Sequence, residues 1–215
     1  MSILFEPARI GNLEIRNRFV RSATYDGMSD ASGRITDNQL NLIADLACGG
    51  VGLIISAIMY VHPSGQASAF MNSIADDSRI EGLKRLTDTA HQSGAKIAVQ
   101  LFHGGREARF VKTRRELPMS PSVVLEDAFY RGPYREIREE EIGEVIAAFG
   151  QAARRARNAA LQATDYLAMR DYPLDEGRLA ELSRYRQALR DLPQAPGFPE
   201  GHEWPAPPAW MGGMP

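Results

Sequence analysis

An α/β fold of three strand–helix units is what this sequence predicts, and three observations predict it. Val51-Gly52-Leu53-Ile54-Ile55 and Ala95-Lys96-Ile97-Ala98-Val99-Gln100-Leu101-Phe102 are nearly continuous apolar runs, the composition of strands buried on both faces of a parallel sheet. Each run is preceded by a stretch whose apolar residues recur at three- and four-residue intervals, the period of a helix with one buried face. Both runs then break off into polar residues and glycines, and in parallel α/β sheets ligands sit beyond the carboxyl ends of the strands.

Taken in order, the chain first offers a hairpin. Residues Ala8 to Ile15 place Gly11-Asn12 between two short alternating runs, and both turn residues tolerate positive φ. Such a hairpin would plug the bottom of something larger. Asn17 to Ser22 forms the first core strand and runs into Ala23-Thr24-Tyr25-Asp26-Gly27. Thr36 with Gln39 predicts a capping box for a helix whose buried face is Leu40, Ile43, Ala44 and Ala47, stopped by Gly49-Gly50. The second strand, Val51 to Ile55, follows.

Ser56 to Asp77 shows no period, carries His62, Pro63 and Gly65, and reads as a surface loop on the functional face. Asp77 is the expected cap of the next helix, whose apolar positions are Ile80, Leu83, Leu86 and Ala90 and whose stop is Ser93-Gly94. The third strand comes next, then a second long loop with Pro118 and Pro121. Glu139-Glu140-Glu141 start a third helix at the end where its dipole favours negative charge, with Ile142, Val145, Ile146, Phe149, Ala152, Ala153 and Ala156 on one face. After Asn158 no β-branched run appears. A helix from Leu179 to Leu192, with Leu182, Tyr185, Leu189 and Leu192 on one face, leads to a tail rich in proline and glycine, where little regular structure is expected from Pro193 on. The chain thus divides into residues 1–158 and an extension, 159–215.

Composition narrows the function classes. A formal charge of −2, with Lys and Arg scattered apart from Arg154, Arg155 and Arg157, gives no footprint for nucleic acid. Cys48 is the single cysteine, so no internal disulfide or cysteine-based zinc site forms, and a reducing cytoplasm is expected. Apolar runs stop well short of the roughly 18 residues of a membrane span, and no signal peptide pattern opens the chain. None of the four histidines has ligand partners at metal-binding spacing. His62 and His91 read as surface residues, and His103 and Arg106 as residues that shape a loop. Gln100 is the odd residue in its apolar run. Its amide needs hydrogen-bond partners, supplied either by the core or by a planar polar ligand.

Leu4-Phe5-Glu6-Pro7, Ile10-Gly11-Asn12-Leu13, Asn17-Arg18, Gly49-Gly50 with the strand after it, Val99-Gln100-Leu101, His103-Gly104-Gly105-Arg106 and Pro121-Ser122 share a further property. In this order and spacing they resemble the N-terminal part of the Old Yellow Enzyme family, FMN-dependent NAD(P)H:flavin oxidoreductases and ene-reductases. The resemblance implies a partial TIM barrel of about three βα units with an N-terminal hairpin. It implies FMN at the C-terminal face, with Ser22, Ala23, Thr24 and Tyr25 approaching the flavin, Ile58 flanking it and Gln100 bonding its pyrimidine edge. A flavin is polar along one edge and apolar on its faces, which suits an amide beside small and apolar groups. NAD(P)H would be the reductant, passing hydride to FMN and thence to an activated alkene as the small-molecule substrate.

The sequence also departs from the family. Tyr25 stands where the family commonly has threonine or cysteine. The substrate-anchoring histidine pair, or histidine and asparagine, has no counterpart, since the only histidine after His103 is His202. The later arginine near the flavin and the glycine-arginine phosphate site are also missing. A full barrel takes about 250 residues and eight strands, so the expectation is a truncated enzyme whose sheet does not close, with FMN binding weak or absent and no assignable catalytic residue. Exposed edges of such a sheet would favour homo-oligomers.

Ala163-Thr164-Asp165-Tyr166, Tyr185 to Pro193, Pro196-Gly197-Phe198-Pro199 and Trp204-Pro205 resemble the C-terminal segment of bacteriophage tail assembly chaperones and tail fibre assembly proteins. That resemblance implies phage tail proteins as partners. The alternative for the same residues is a generic amphipathic helix with an aromatic, proline-rich tail.

Overall fold

The structure is a computed structural model that describes residues 2–11, 13–108, 117–124, 132–162, 174–195 and 204–213. Strands β1 (Ala8–Ile10) and β2 (Leu13–Ile15) pair antiparallel, with Gly11 at φ +55° in the turn. The guanidinium of Arg16 anchors this hairpin to the lower end of the fold. It donates to Ala47 O at 2.6 Å, Val51 O at 3.0 Å and Ser93 O at 2.6 Å, carbonyls at or just past the ends of two helices. Helix ends leave such carbonyls unsatisfied, and a cation there also opposes the helix dipole.

The sheet is parallel. β3 (Val20–Arg21), β4 (Leu53–Tyr60) and β6 (Lys96–Phe102) lie side by side with β4 in the middle, and β5 (Asn72–Ser73) pairs with the end of β4. Helices α1 (Asp37–Cys48) and α2 (Ile80–Gln92) make the crossovers. The capping box at Thr36 and Gln39 forms as expected. Ile43 and Ala47 of α1, Leu83, Leu86 and Ala90 of α2, and Ile54 and Met59 of β4 share one core, against which Ile97, Val99 and Leu101 pack. Helix α3 (Glu139–Gln162) covers α2 and adds Ala148, Ala152 and Ala159 to that core. Arg155 pins it, donating to Asp77 Oδ1 at 2.7 Å and to Ile74 O at 3.3 Å.

Several expectations are corrected. Ser56 to Asp77 is no surface loop: β4 continues to Tyr60, and Val61, Met71, Asn72, Ser73 and Ile74 are all buried. The helix cap is Asp76, whose side chain accepts from Ser78 N at the start of a 3-10 turn leading into α2, and Asp77 is left for Arg155. Helix α3 buries Ala148, Ala152, Ala153 and Ala159, with Ile142 and Ile146 exposed, and it runs through Asn158 without a break. The second long loop contains a short parallel pair, β7 (Met119–Ser120) with β8 (Arg135–Glu136).

Helix α4 (Glu176–Asp191) buries Leu182 and Leu189, two of the residues on its expected face. Beyond it, the tail is more regular than its composition indicates. Leu192–Gln194 and Ala209–Gly213 form 3-10 turns, and Trp210 Nε1 donates to Glu181 of α4 at 2.8 Å with Arg178 over its ring. An indole presents one donor and a large apolar face, and α4 supplies a partner for each. Ala163-Thr164-Asp165-Tyr166 and Pro196-Gly197-Phe198-Pro199 lie outside the described residues.

Candidate functional site

The side of the sheet away from the helices is built at the junction of β4 and β6. Ile54 and Ile97 pair in register and pack on the helices, so the neighbouring pair Ile55 and Ala98 faces the other way. Strict alternation would then turn Ile58 back towards the helices. A register shift prevents this, because Ser56 and Ala57 together oppose Val99 alone. Ser56 staples this bulge: its Oγ donates to Ala57 O at 2.9 Å and accepts the Gln100 N–H at 3.4 Å. The extra residue re-aims the strand, and Ile58 stands directly beside Gln100.

Gln100 itself is exposed, as is Ala98. Neither partner expected for a buried glutamine is needed: the strand is open on this side, and the amide makes no hydrogen bond to another described residue. Its donors and acceptor are therefore available above an apolar floor of Ile58 and Ala98.

Ser22, Ala23, Thr24 and Tyr25 leave the end of β3. Arg21 Nη1 folds back on them, donating to Ser22 O at 2.6 Å and to Thr24 Oγ1, while Thr24 Oγ1 donates to Ser22 O at 3.3 Å. The Tyr25 hydroxyl bonds Ser68 Oγ in the loop after β4. Next in sequence, Asp26 accepts from Gln39 Nε2 at 3.0 Å, and the buried Gln39 and Asn72 exchange amide hydrogen bonds at 2.7 and 3.0 Å. Asn72 pairs with Met59, so this chain of amides ties the segment after β3 to the carboxyl end of β4. Of the six expected residues, Ile58 and Gln100 adjoin directly. The other four continue from β3, and Tyr25 and the adjoining Asp26 tie them by hydrogen bonds to the loop after β4 and, through Gln39, to Asn72 of β5. Sequence reasoning gave Gln39 a capping role alone and missed Ser56 and Asn72; a buried amide pair leaves no periodic signal.

At the same end lie two imidazoles that are not surface residues. His62 and His103 are both half-buried, bridged by Ser64 Oγ at 2.7 Å from His62 Nδ1 and 3.0 Å from His103 Nε2. His62 and Ser64 border a cleft of about 250 Å³ lined also by Met119, Arg138, Glu141, Glu144 and Val145. Glu141 is buried and fully engaged: Arg135 grips it with two bonds at 2.7 and 2.5 Å, and Arg138 adds its backbone N–H at 2.9 Å and guanidinium at 2.8 Å. The Arg135 hydrogen bonds, reinforced by Arg138, hold its carboxyl down at about 2. The fold is expected to lose about 2 kcal/mol in Glu141→Gln by urea denaturation, less than a deeply buried pair because Arg138 is half exposed. Since the folded carboxyl is the more acidic, that contribution is present above the ordinary carboxylate range and fades as pH falls towards 2. Among the described residues no group of three His, Cys, Asp or Glu is placed to hold a metal ion, and no helix is long and apolar enough to cross a membrane.

A parallel sheet whose strands are joined by helical crossovers makes this an α/β protein. Residues 3–170 match the NADH:flavin oxidoreductase / NADH oxidase family, and the chain belongs to that family. It is 35% identical over 176 residues to a metal reductase of Desulforamulus reducens, covering 82% of this chain and 26% of that protein. It is 33% identical over 183 residues to an NADPH dehydrogenase of Clostridium acetobutylicum, covering 85% of this chain and 52% of that one. The chain thus spans between about a quarter and about half of these relatives. Among solved structures, morphinone reductase in complex with tetrahydroNAD superposes with a TM-score of 0.63 at 25% identity, over 74% of this chain and 47% of that one. Residues 150–209 also match the phage tail assembly chaperone family. The two matched segments overlap over residues 150–170, which begin within α3.

Proposed function

We propose that this chain is the flavin-facing part of an Old Yellow Enzyme-type NAD(P)H oxidoreductase, with the pyrimidine edge of FMN at Gln100. The observation that carries the reading is the exposed, unpartnered amide of Gln100 standing beside Ile58 on the open side of the sheet. An amide offers a donor and an acceptor in one plane, which matches the edge of an isoalloxazine ring, while Ile58 and Ala98 suit its apolar face. Ser22, Ala23 and Thr24 are small enough to let a ring approach, and Tyr25, fixed through Ser68, borders it. When bound, FMN supplies hydride transfer from NAD(P)H to a small-molecule acceptor such as an activated alkene. The relatives are named as NADPH dehydrogenase and metal reductase, which supports redox chemistry without selecting the acceptor. We place the protein in the cytoplasm.

This chain alone holds FMN weakly and turns over slowly. The family's phosphate-binding and substrate-orienting groups follow later barrel strands and have no counterpart among residues 1–158. A phosphate dianion contributes strongly to affinity through charge-assisted hydrogen bonds, and positioning groups lower the barrier. A second reading is a non-catalytic interaction protein, self-associating through sheet edges or binding phage tail proteins through residues 159–215; the match of residues 150–209 favours it.

Titration of FMN into purified protein, followed by quenching of flavin fluorescence, separates the two. Binding weaker than micromolar is expected, with little NADPH-driven reduction of an activated enone. Gln100→Ala should weaken binding about tenfold, the loss of one or two hydrogen bonds to the ring. No quenching at all would leave the interaction reading standing, and binding indifferent to Gln100→Ala would remove Gln100 from the site.

A further inference from the structure

We propose that His62, Ser64 and His103 form an acid-sensitive clamp joining the two loops that leave the carboxyl ends of β4 and β6. Four hydrogen bonds fix its protonation. His103 Nδ1 accepts the Gly105 N–H at 3.1 Å, so the ring proton of His103 is on Nε2, which donates to Ser64 Oγ at 3.0 Å. The Ser64 hydroxyl proton is then directed to His62 Nδ1 at 2.7 Å, which also accepts the Ser64 backbone N–H at 3.3 Å. Both imidazoles are therefore neutral, and each Nδ1 caps the first turn of its own loop.

The loops have no slack between them. Gly104 N–H donates to Gly65 O at 2.9 Å, and a Cβ on Gly65 would lie 2.6 Å from His103 Cδ2, so the ring rests on the Gly65 backbone. Protonating either ring converts its Nδ1 from acceptor to donor while it still faces a backbone N–H. Protonating both sets two cations against one serine oxygen. Each event breaks a cap and none can be absorbed by a small shift.

The charged groups nearby do not substitute for the lost bonds. Across the cleft from His62 are Arg138, Glu141 and Glu144, with Glu141 held by Arg135 and Arg138. Arg106 and Glu107 follow His103 on its own loop, and Arg106 stacks over the Tyr134 ring. Neither imidazole hydrogen-bonds any of these. Burial, and next the neighbouring His62, hold His103 below the ordinary histidine range. The clamp is thus complete above that range and is lost as pH falls through the lowered value. Opening releases the loop that carries Ser68, the partner of Tyr25. That last consequence for the flavin-facing end rests on the proposed function; the clamp itself does not.

The test is amide hydrogen exchange by NMR on the whole chain, comparing Ser64 and Gly105 with the sheet amides Ile54 and Ile97 after correction for intrinsic rates. The opening constant of the clamp amides should exceed that of the sheet amides and rise about tenfold per pH unit below about pH 6.5, one proton per local opening, whereas the sheet amides report unfolding of the whole chain with its own pH dependence. In His62→Asn/His103→Asn the asparagine oxygens take the Nδ1 positions and do not titrate, so the slope should vanish with the caps retained. Equal opening constants for clamp and sheet amides at each pH in the unmodified chain, the sign that the clamp opens only with the whole fold, would overturn the proposal, as would an unchanged clamp slope in the double variant. Should that variant not fold, the unmodified chain decides alone: clamp amides that open more often than the sheet, and more so in acid, support the clamp, and an opening constant that is flat or equal to the sheet's overturns it.

Discussion

Ile74→Ala should cost about 3 kcal/mol, as much as a core leucine truncated in the middle of α2. Ile74 is fully buried, and its backbone is held on both sides, N–H donating to Tyr60 O at 3.0 Å and O accepting from Arg155 at 3.3 Å. It packs in one cluster with Met59, Val61, Leu83 and Leu86. Because the backbone is tied in this way, the segment cannot collapse into the space left by the lost side chain, and the cavity term stays with the transfer term. Ile142→Ala on α3 provides the contrast: that side chain is 43% exposed, and its loss should fall within about 0.5 kcal/mol of neutral. Urea denaturation of both variants checks the pair. A neutral Ile74→Ala would return residues 56–77 to the surface loop their sequence indicates.

The same two isoleucines mark where the sequence speaks and where it is silent. The hairpin, the capping box at Thr36, the apolar face of α2 and the runs of β4 and β6 were legible because local chemistry decides them. Turn residues, caps and period act within a few positions. Ile74 and Ile142 are decided by what lies across space. The segment around Ile74 is buried because β5 pairs with the end of β4 and Arg155 crosses from α3, neither of which leaves a period in residues 56–77. Ile142 and Ile146 have a helical spacing but face out, since α3 meets α2 through alanines that allow close approach. The site shows the same division. Gln100 stood out as a polar residue in an apolar run, yet its exposure depends on the sheet being open on that face and its pairing with Ile58 on the bulge at Ser56 and Ala57. Nothing in Ser-Ala announces a bulge. Asp76 and Asp77 are equivalent as caps on paper, and only the arrival of Arg155 from α3 assigns the second one elsewhere.

Acidification from pH 7 to pH 4 should remove about 3 kcal/mol of stability through His91 alone. The side chain was expected at the surface, but it is largely buried in the last turn of α2, and burial first, with Lys96 second, lowers its pKa to about 4 against the partial support of Asp88. The unfolded chain binds a proton on this ring near the ordinary value of about 6.5, so the unfolded state is the better proton acceptor over the interval between. Stability is accordingly whole above the upper value and declines as pH falls towards the lower, at about 1.4 kcal/mol per unit. His103 is shifted in the same direction and adds to the slope, whereas Asp30, Asp76 and Glu141 are held low and act from the ordinary carboxylate range downward. Urea midpoints measured at several pH values should therefore fall steeply between about pH 6.5 and 4. In His91→Gln the steep part should flatten, leaving the share of His103 and the later carboxylate loss. An unchanged slope in His91→Gln would mean that this ring is hydrated in the fold, and that the contact between the end of α2 and the start of β6 is looser than its burial requires.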